Sequence, residues 1–232
     1  MPMTAATVPM AAFLTAETRR LRDRGFDPEQ ALAVTATCRD EILAPLRAGV
    51  RAHWHRAFDF SSLSGLPLAG VTGTRAVLDH VPHIGARGAV VIFALPHIGV
   101  LADGTVGRAM RRGQSVPSSA CGSLVAAMQW AGSADAGSPA AIDPVDPEQS
   151  LVRQRLISEI PDLAHADLLQ VTRRVRELMV HDVRTLVDLV SEPGSVDVAI
   201  VSGVLIHDPE GDDAVESFGA WTRIAGVEST LD

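Results

Sequence analysis

Lysine, tyrosine and asparagine are all missing from the 232 residues, and every one of the 20 basic side chains is arginine. A lysine Schiff base, a P-loop lysine and a catalytic tyrosine are thereby excluded. Positive charge is scarce as well, since 28 acidic residues against 20 arginines leave a net charge of −8. That balance speaks against a nucleic acid or an anionic membrane as partner, because either requires a positive face. No run approaches the roughly 18 apolar residues that a membrane helix needs. Met1 to Thr18 lacks the basic start of a secretory signal, because Arg19, Arg20, Arg22 and Arg24 come too late to supply one. The expectation is a cytoplasmic protein. Its only cysteines are Cys38 and Cys121, and in a reducing compartment such thiols serve as core residues, ligands or nucleophiles more often than as a disulfide.

What is present is an ordinary globular composition, 47% hydrophobic and 21% charged, long enough for one sizeable core. Residues 1–26 read as an N-terminal extension or helix, and residues 27–232 as a single α/β domain. Asp27-Pro28-Glu29 reads as a helix start, with Cys38 following that helix closely. Ile42, Leu43, Leu46, Val50 and Trp54 recur at helical spacing, so Glu41 to Arg56 is a helix. Phe58 to Gly73 reads as a compact irregular loop. Ala89 to Leu95 is a continuous apolar run, a strand buried on both faces that delivers His97 at its end. Ser118 or Ser119 would cap a helix carrying Cys121 in its first turn. Gly132 to Ser150 reads as an exposed connection. Ala166 to Val190 is a helix, and Ser195 to Ile206 a second buried strand ending in His207. Strands alternating with helices predict an α/β fold with a central, mainly parallel sheet flanked by helices.

In such sheets ligand sites form beyond the carboxyl ends of the strands, which is where His97 stands. Two thiolates and an imidazole make a zinc-ligand set, and a catalytic zinc keeps three protein ligands and one open position. Cys38, His97 and Cys121 supply that set, at separations of 59 and 24 residues, so the ligands come from three separate elements. The chemical rival is a cysteine nucleophile with His97 as its base. Gly65 and Gly70-Val71-Thr72 imitate a P-loop, but Val71 stands where the phosphate-binding lysine belongs, so nucleotide binding is rejected. Arg111-Arg112-Gly113 offers a site for an anion such as bicarbonate, or is only a solvated turn.

The local sequences decide between these. They are Cys38-Arg39-Asp40-Glu41, Leu63-Ser64-Gly65-Leu66-Pro67-Leu68-Ala69-Gly70-Val71-Thr72-Gly73, Asp79-His80-Val81-Pro82, Pro96-His97-Ile98-Gly99-Val100, Gly107 to Gln114, and Ser119-Ala120-Cys121-Gly122. In this order they resemble the limiting-CO2-inducible protein B/C family, which is similar in fold and zinc site to β-type carbonic anhydrases. Val201 to His207 adds a weaker match.

The resemblance implies that Cys38, His97 and Cys121 bind Zn2+ and that Asp40 is the acidic partner beside it. It implies a homodimer that hydrates CO2 reversibly to bicarbonate through a zinc-bound hydroxide, zinc lowering the pKa of its water to about 7. The alternative is a silent member that keeps fold and metal but acts as a scaffold or a CO2- or bicarbonate-related binding protein. Two departures from the β-type pattern stand out: His97 and Cys121 are far apart, and Ile42 replaces the arginine that should pair with Asp40. Arg47, on the same helix face, is the expected substitute, with Arg39 and Arg51 as rivals. Asp40 either orients the hydroxide or closes the fourth zinc position itself. His80 and His83, flanking Pro82, are the candidate proton carriers. The loop from Gly65 to Thr72 is expected to line the CO2 pocket or a dimer contact with Leu66, Leu68 and backbone N–H groups, or simply to pack as a loop.

Overall fold

The computed structural model describes residues 7–84, 87–133, 141–192, 194–208 and 211–231. Chain order is β1 (Thr7–Pro9), α1 (Met10–Arg22), β2 (Ala31–Thr37), α2 (Ala44–Trp54), β3 (Ala57–Asp59), α3 (Gly70–Asp79), β4 (His83–Ile84), β5 (Arg87–Leu95) and β6 (His97–Gly99). Then come β7 (Arg108–Ala109), β8 (Ser118–Ser119), α4 (Gly122–Ala131), α5 (Pro147–Glu159), α6 (Leu168–Val190), β9 (Val196–His207), β10 (Ala214–Ile224) and β11 (Val227–Leu231).

The main sheet runs β1-β10-β9-β5-β2-β3, with β4, β6 and β11 attached to β5, β9 and β10. Along β3-β2-β5-β9 the pairings are parallel and beyond β9 they are antiparallel, while the short β4 lies antiparallel on β5. The expected fold class, a mostly parallel sheet flanked by helices, is the one observed. Adjacent strand residues face opposite sides of a sheet, and β5 shows both layers. Phe93 meets Trp54 of α2 edge-on at 6.4 Å. Its neighbour Ile92 shares a cavity of about 20 Å³ with Val77 of α3 and with Val183 and Val187 of α6. Such two-sided burial is why β5 is a near-continuous apolar run.

The long helix α6 starts at Asp167, whose carboxylate accepts from the Gln170 N–H at 2.9 Å. Val171, Val175, Leu178, Met179, Val183 and Val187 form its buried stripe. Each such side chain contributes roughly 1.5–3 kcal/mol by leaving water.

Four sequence expectations need correction. Asp27 to Gln30 is a turn, and the next residues form β2, buried along its whole length. The Asp27 carboxylate does accept from the Glu29 N–H, and its carbonyl from Gln30 and Ala31. The segment thus performs the first turn of a helix and then extends. Phe58 to Gly73 is not all loop, since it carries β3 and the start of α3. Ser118 and Ser119 form β8, paired with β7, and Cys121 stands at the N-cap of α4 rather than inside it. Of the connection at 132–150, residues 134–140 lie outside the described residues. Its end is already α5, where Gln149 and Ser150 are buried.

Candidate metal centre

Register brings the two halves of the site to one edge. Ala31 to Thr37 pair in step with Ala89 to Leu95, so Cys38 and His97 leave neighbouring strands at the same end. Cys38 continues β2 by bridging to Ser62. His97 opens β6, opposite Leu205 of β9. Cys121 is brought alongside by the β7–β8 excursion, which returns through Gly99 N–H to the Ala120 carbonyl at 2.9 Å. Two glycines permit the crowding. A Cβ on Gly99 would stand 2.3 Å from the Arg108 carbonyl oxygen, and one on Gly65 would crowd the Thr37–Cys38 backbone at 3.2–3.3 Å.

The Sγ atoms of Cys38 and Cys121 are 3.7 Å apart, and one ligand atom from each of Cys38, His97 and Cys121 lies within 4.8 Å of the others. All three side chains are buried, His97 completely. The hydrogen bond from Cys121 draws the Cys38 thiol down to about 4, helped by the His97 ring and the Asp40 N–H against the cost of burial. Cys121, giving that bond, buried and facing the Cys38 charge, is pushed well above the usual thiol range, although N–H groups at the start of α4 oppose this. One proton shared by two sulfurs is what a cation would displace.

A second observation tests the fit. His97 Nε2 is buried and has no hydrogen-bond partner, while Nδ1 meets His207 Nε2 at 3.0 Å. A buried ring nitrogen left bare costs free energy unless something takes its lone pair. Two sulfurs and that orphaned imidazole nitrogen fit a metal ion.

Asp40 stands beside this set, with Oδ2 3.9 Å from His97 Nε2. Its guanidinium partner is Arg111, at 2.6 Å. Arg47 does not reach the carboxylate; it donates to the backbone carbonyls of Cys38 and Asp40 at 3.1 and 3.4 Å. Arg39 turns away to Glu148 at 2.7 Å. Arg111 is itself fixed by the Glu41 carboxylate at 2.7 Å, the Ser119 carbonyl at 3.0 Å and the Ser118 hydroxyl. The side chain expected to meet a free anion is thus committed to Asp40.

Other expected residues lie elsewhere. His83 belongs to β4, opposite Gly88 at the start of β5, so it is separated from His97 by roughly 30 Å of extended chain. His80 bonds the Ala76 carbonyl at 2.6 Å and leans edge-on against Phe58. Leu66, Pro67, Leu68 and Gly70 line a cavity of about 480 Å³ with Arg155, His181 and Asp182, which contains none of the metal-site residues. Sequence reasoning missed the roles of Arg111 and Glu148. Glu148 accepts from Arg39 and from the Leu63 N–H at 2.9 Å, tying α5 to the residue after Cys38. Among the described residues no helix is long and apolar enough to cross a membrane.

A family model for limiting CO2-inducible proteins B/C, beta carbonic anhydrases, matches residues 7–226. Among solved structures, limiting CO2-inducible protein LCIB is 27% identical with a TM-score of 0.80, the match covering 97% of this chain and 94% of that one. PtLCIB4, a homolog of that protein, is 25% identical with a TM-score of 0.80 over 97% and 94%. No curated protein sequence matches.

Proposed function

Because the chain belongs to the family of limiting CO2-inducible proteins B/C, beta carbonic anhydrases, we propose that it is a zinc enzyme interconverting CO2 and bicarbonate. The observation that carries this reading is the meeting of three buried donors beside an arginine-held carboxylate. Two thiolates with one imidazole form a zinc set, and their charge balances the dication. Zinc held there supplies Lewis acidity that makes water nucleophilic at neutral pH.

The chain's own residues then do the rest. Asp40 Oδ2 would accept a hydrogen bond from water at the site and aim its lone pair at the carbon of CO2, and the proton which that water gives up on forming bicarbonate passes to solvent buffer. Arg111 and the Ile42 N–H, at 2.6 and 3.3 Å from Oδ2 and Oδ1, hold both carboxylate oxygens. A carboxylate gripped in this way would serve as an acceptor beside a bound metal rather than as a ligand to it. Cys38 and Cys121 hold no proton once the metal is bound. Arg47, by fixing the carbonyls of Cys38 and Asp40, sets the spacing between ligand and acceptor. The same reading includes a cytoplasmic homodimer, the latter checked by light scattering.

Metal analysis and stopped-flow CO2 hydration test the reading together. We expect about one zinc per chain and hydration far above background; full zinc with only the background rate would favour a silent binding or scaffold protein. Asp40→Ala should keep its zinc and lose most activity. Unchanged turnover would remove Asp40 from the mechanism, and activity surviving zinc removal but not thiol alkylation would favour the cysteine nucleophile.

A further inference from the structure

Behind the metal set lies a second line of polar side chains. His97 Nδ1 is 3.0 Å from His207 Nε2, and His207 Nδ1 is 3.0 Å from Asp213 Oδ2. The two rings meet edge to face at 78° with centroids 5.1 Å apart. Both histidines are buried, and the Asp213 side chain is 16% exposed. The backbone pins each member. The His207 carbonyl accepts from Val100 N–H at 3.1 Å, and the Asp213 carbonyl from Met10 N–H, the first residue of α1, at 2.9 Å.

From this geometry we infer that His207 and Asp213 are a positioning pair that fixes the tautomer of His97 and so turns its Nε2 into a metal ligand. The logic runs inward from the carboxylate. Asp213 can only accept, so His207 Nδ1 carries the proton. A His207 ring that carries this proton alone offers a lone pair at Nε2. Facing it, His97 Nδ1 must be the donor, which leaves Nε2 bare. That is the buried atom with no hydrogen-bond partner, on the ring that shares one set with Cys38 and Cys121. The opposite polarity, a doubly protonated His207 donating to His97, would put a proton on His97 Nε2 and block it. A histidine ligand held at its other nitrogen is also fixed in ring orientation, and such partners are typically worth ten- to a hundredfold in metal affinity.

This inference rests on the metal reading above, and ¹⁵N spectra of the histidine rings separate the two. In the intact wild-type chain, zinc-free and zinc-loaded, the proton should lie on Nδ1 of both His97 and His207. A bare His97 Nδ1 in either state, or zinc on Nδ1, overturns the inference. If the wild type takes up no zinc, the metal reading fails, while the zinc-free spectrum still decides the tautomer. His207→Phe keeps the ring volume but removes the acceptor, and chelator competition should show zinc bound ten- to a hundredfold more weakly. His207→Gln, whose carbonyl can accept, should recover part of the loss. Unchanged affinity in His207→Phe overturns the role. If that variant fails to fold, the wild-type spectra carry the test alone.

Discussion

On one side of β9 the strands run parallel, and on the other they run antiparallel. Parallel neighbours cannot be joined by a tight turn, so β2, β5 and β9 each send their carboxyl ends to different elements. The space between those ends collects Cys38, His97 and, from α4, Cys121. The antiparallel half closes on itself. β10 and β11 are joined by the two residues Ala225 and Gly226, both at positive φ, which suits the hairpin twist and leaves no opening. The difference suggests a division of labour: divergent loops gather the candidate metal set, while Asp213, just before β10, stands behind it against His207.

If that division is right, damage to the two halves should separate by readout. The largest effect falls on the bracing side. Arg173 of α6 grips Glu216 of β10 with two bonds of 3.0 and 2.9 Å, and Glu216 is only 3% exposed. Arg173→Met strands that carboxylate, and denaturant unfolding should show a loss of about 3 kcal/mol. Zinc content of the folded fraction should not change. Adding Glu216→Gln should restore most of the stability, and a failure to do so would blur the comparison.

On the metal side, Arg111→Gln should lower CO2 hydration by about ten- to a hundredfold with zinc and stability retained. Arg47→Gln, which loses only carbonyl contacts, should cost less. Steady-state kinetics in which Arg47 proves the more important would reverse the pairing drawn here.

The smallest effect lies in α1, which packs on the antiparallel half. Glu17 is buried with Oε2 unbonded, and burial holds its carboxyl above the usual range despite Arg20 at 3.3 Å. The folded chain therefore keeps this proton more tightly than the unfolded chain. Glu17 favours folding fully below the ordinary carboxylate value, and that contribution is lost as pH rises through the raised one. Glu17→Gln should lift the neutral-pH Tm by about 2–4 °C, and the gain should vanish in acid. A gain equal at all pH values would exclude the ionisation as its cause.

Legibility in the sequence followed the physics of burial. β5, β9 and α6 are buried, long and periodic, and their patterns can be read. β2 cannot, because Ala31, Ala33 and Ala36 carry little strand preference and the preceding turn copies a helix start. α3 opens on Gly70-Val71-Thr72-Gly73, which conceals a helix behind poor helix formers. β10 and β11 meet at Ala225-Gly226, a hairpin turn whose first residue gives no turn signal. At the site, Cys38, His97 and Cys121 were visible through their flanking motifs. Arg111 lies 71 residues from Asp40, a distance that no periodicity spans, so the nearer Arg47 is the natural expectation. His207 has only its strand-end position to mark it until the fold places it behind His97.

The separation of 83 positions between Cys38 and Cys121 bears on how an ion is captured. An unfolded chain has no local pair of thiols to grasp it, and closing so long a loop is entropically costly. On the zinc reading, the three donors meet only where the sheet brings their strand ends together. An ion held there would act as a latch, favouring the folded form by mass action.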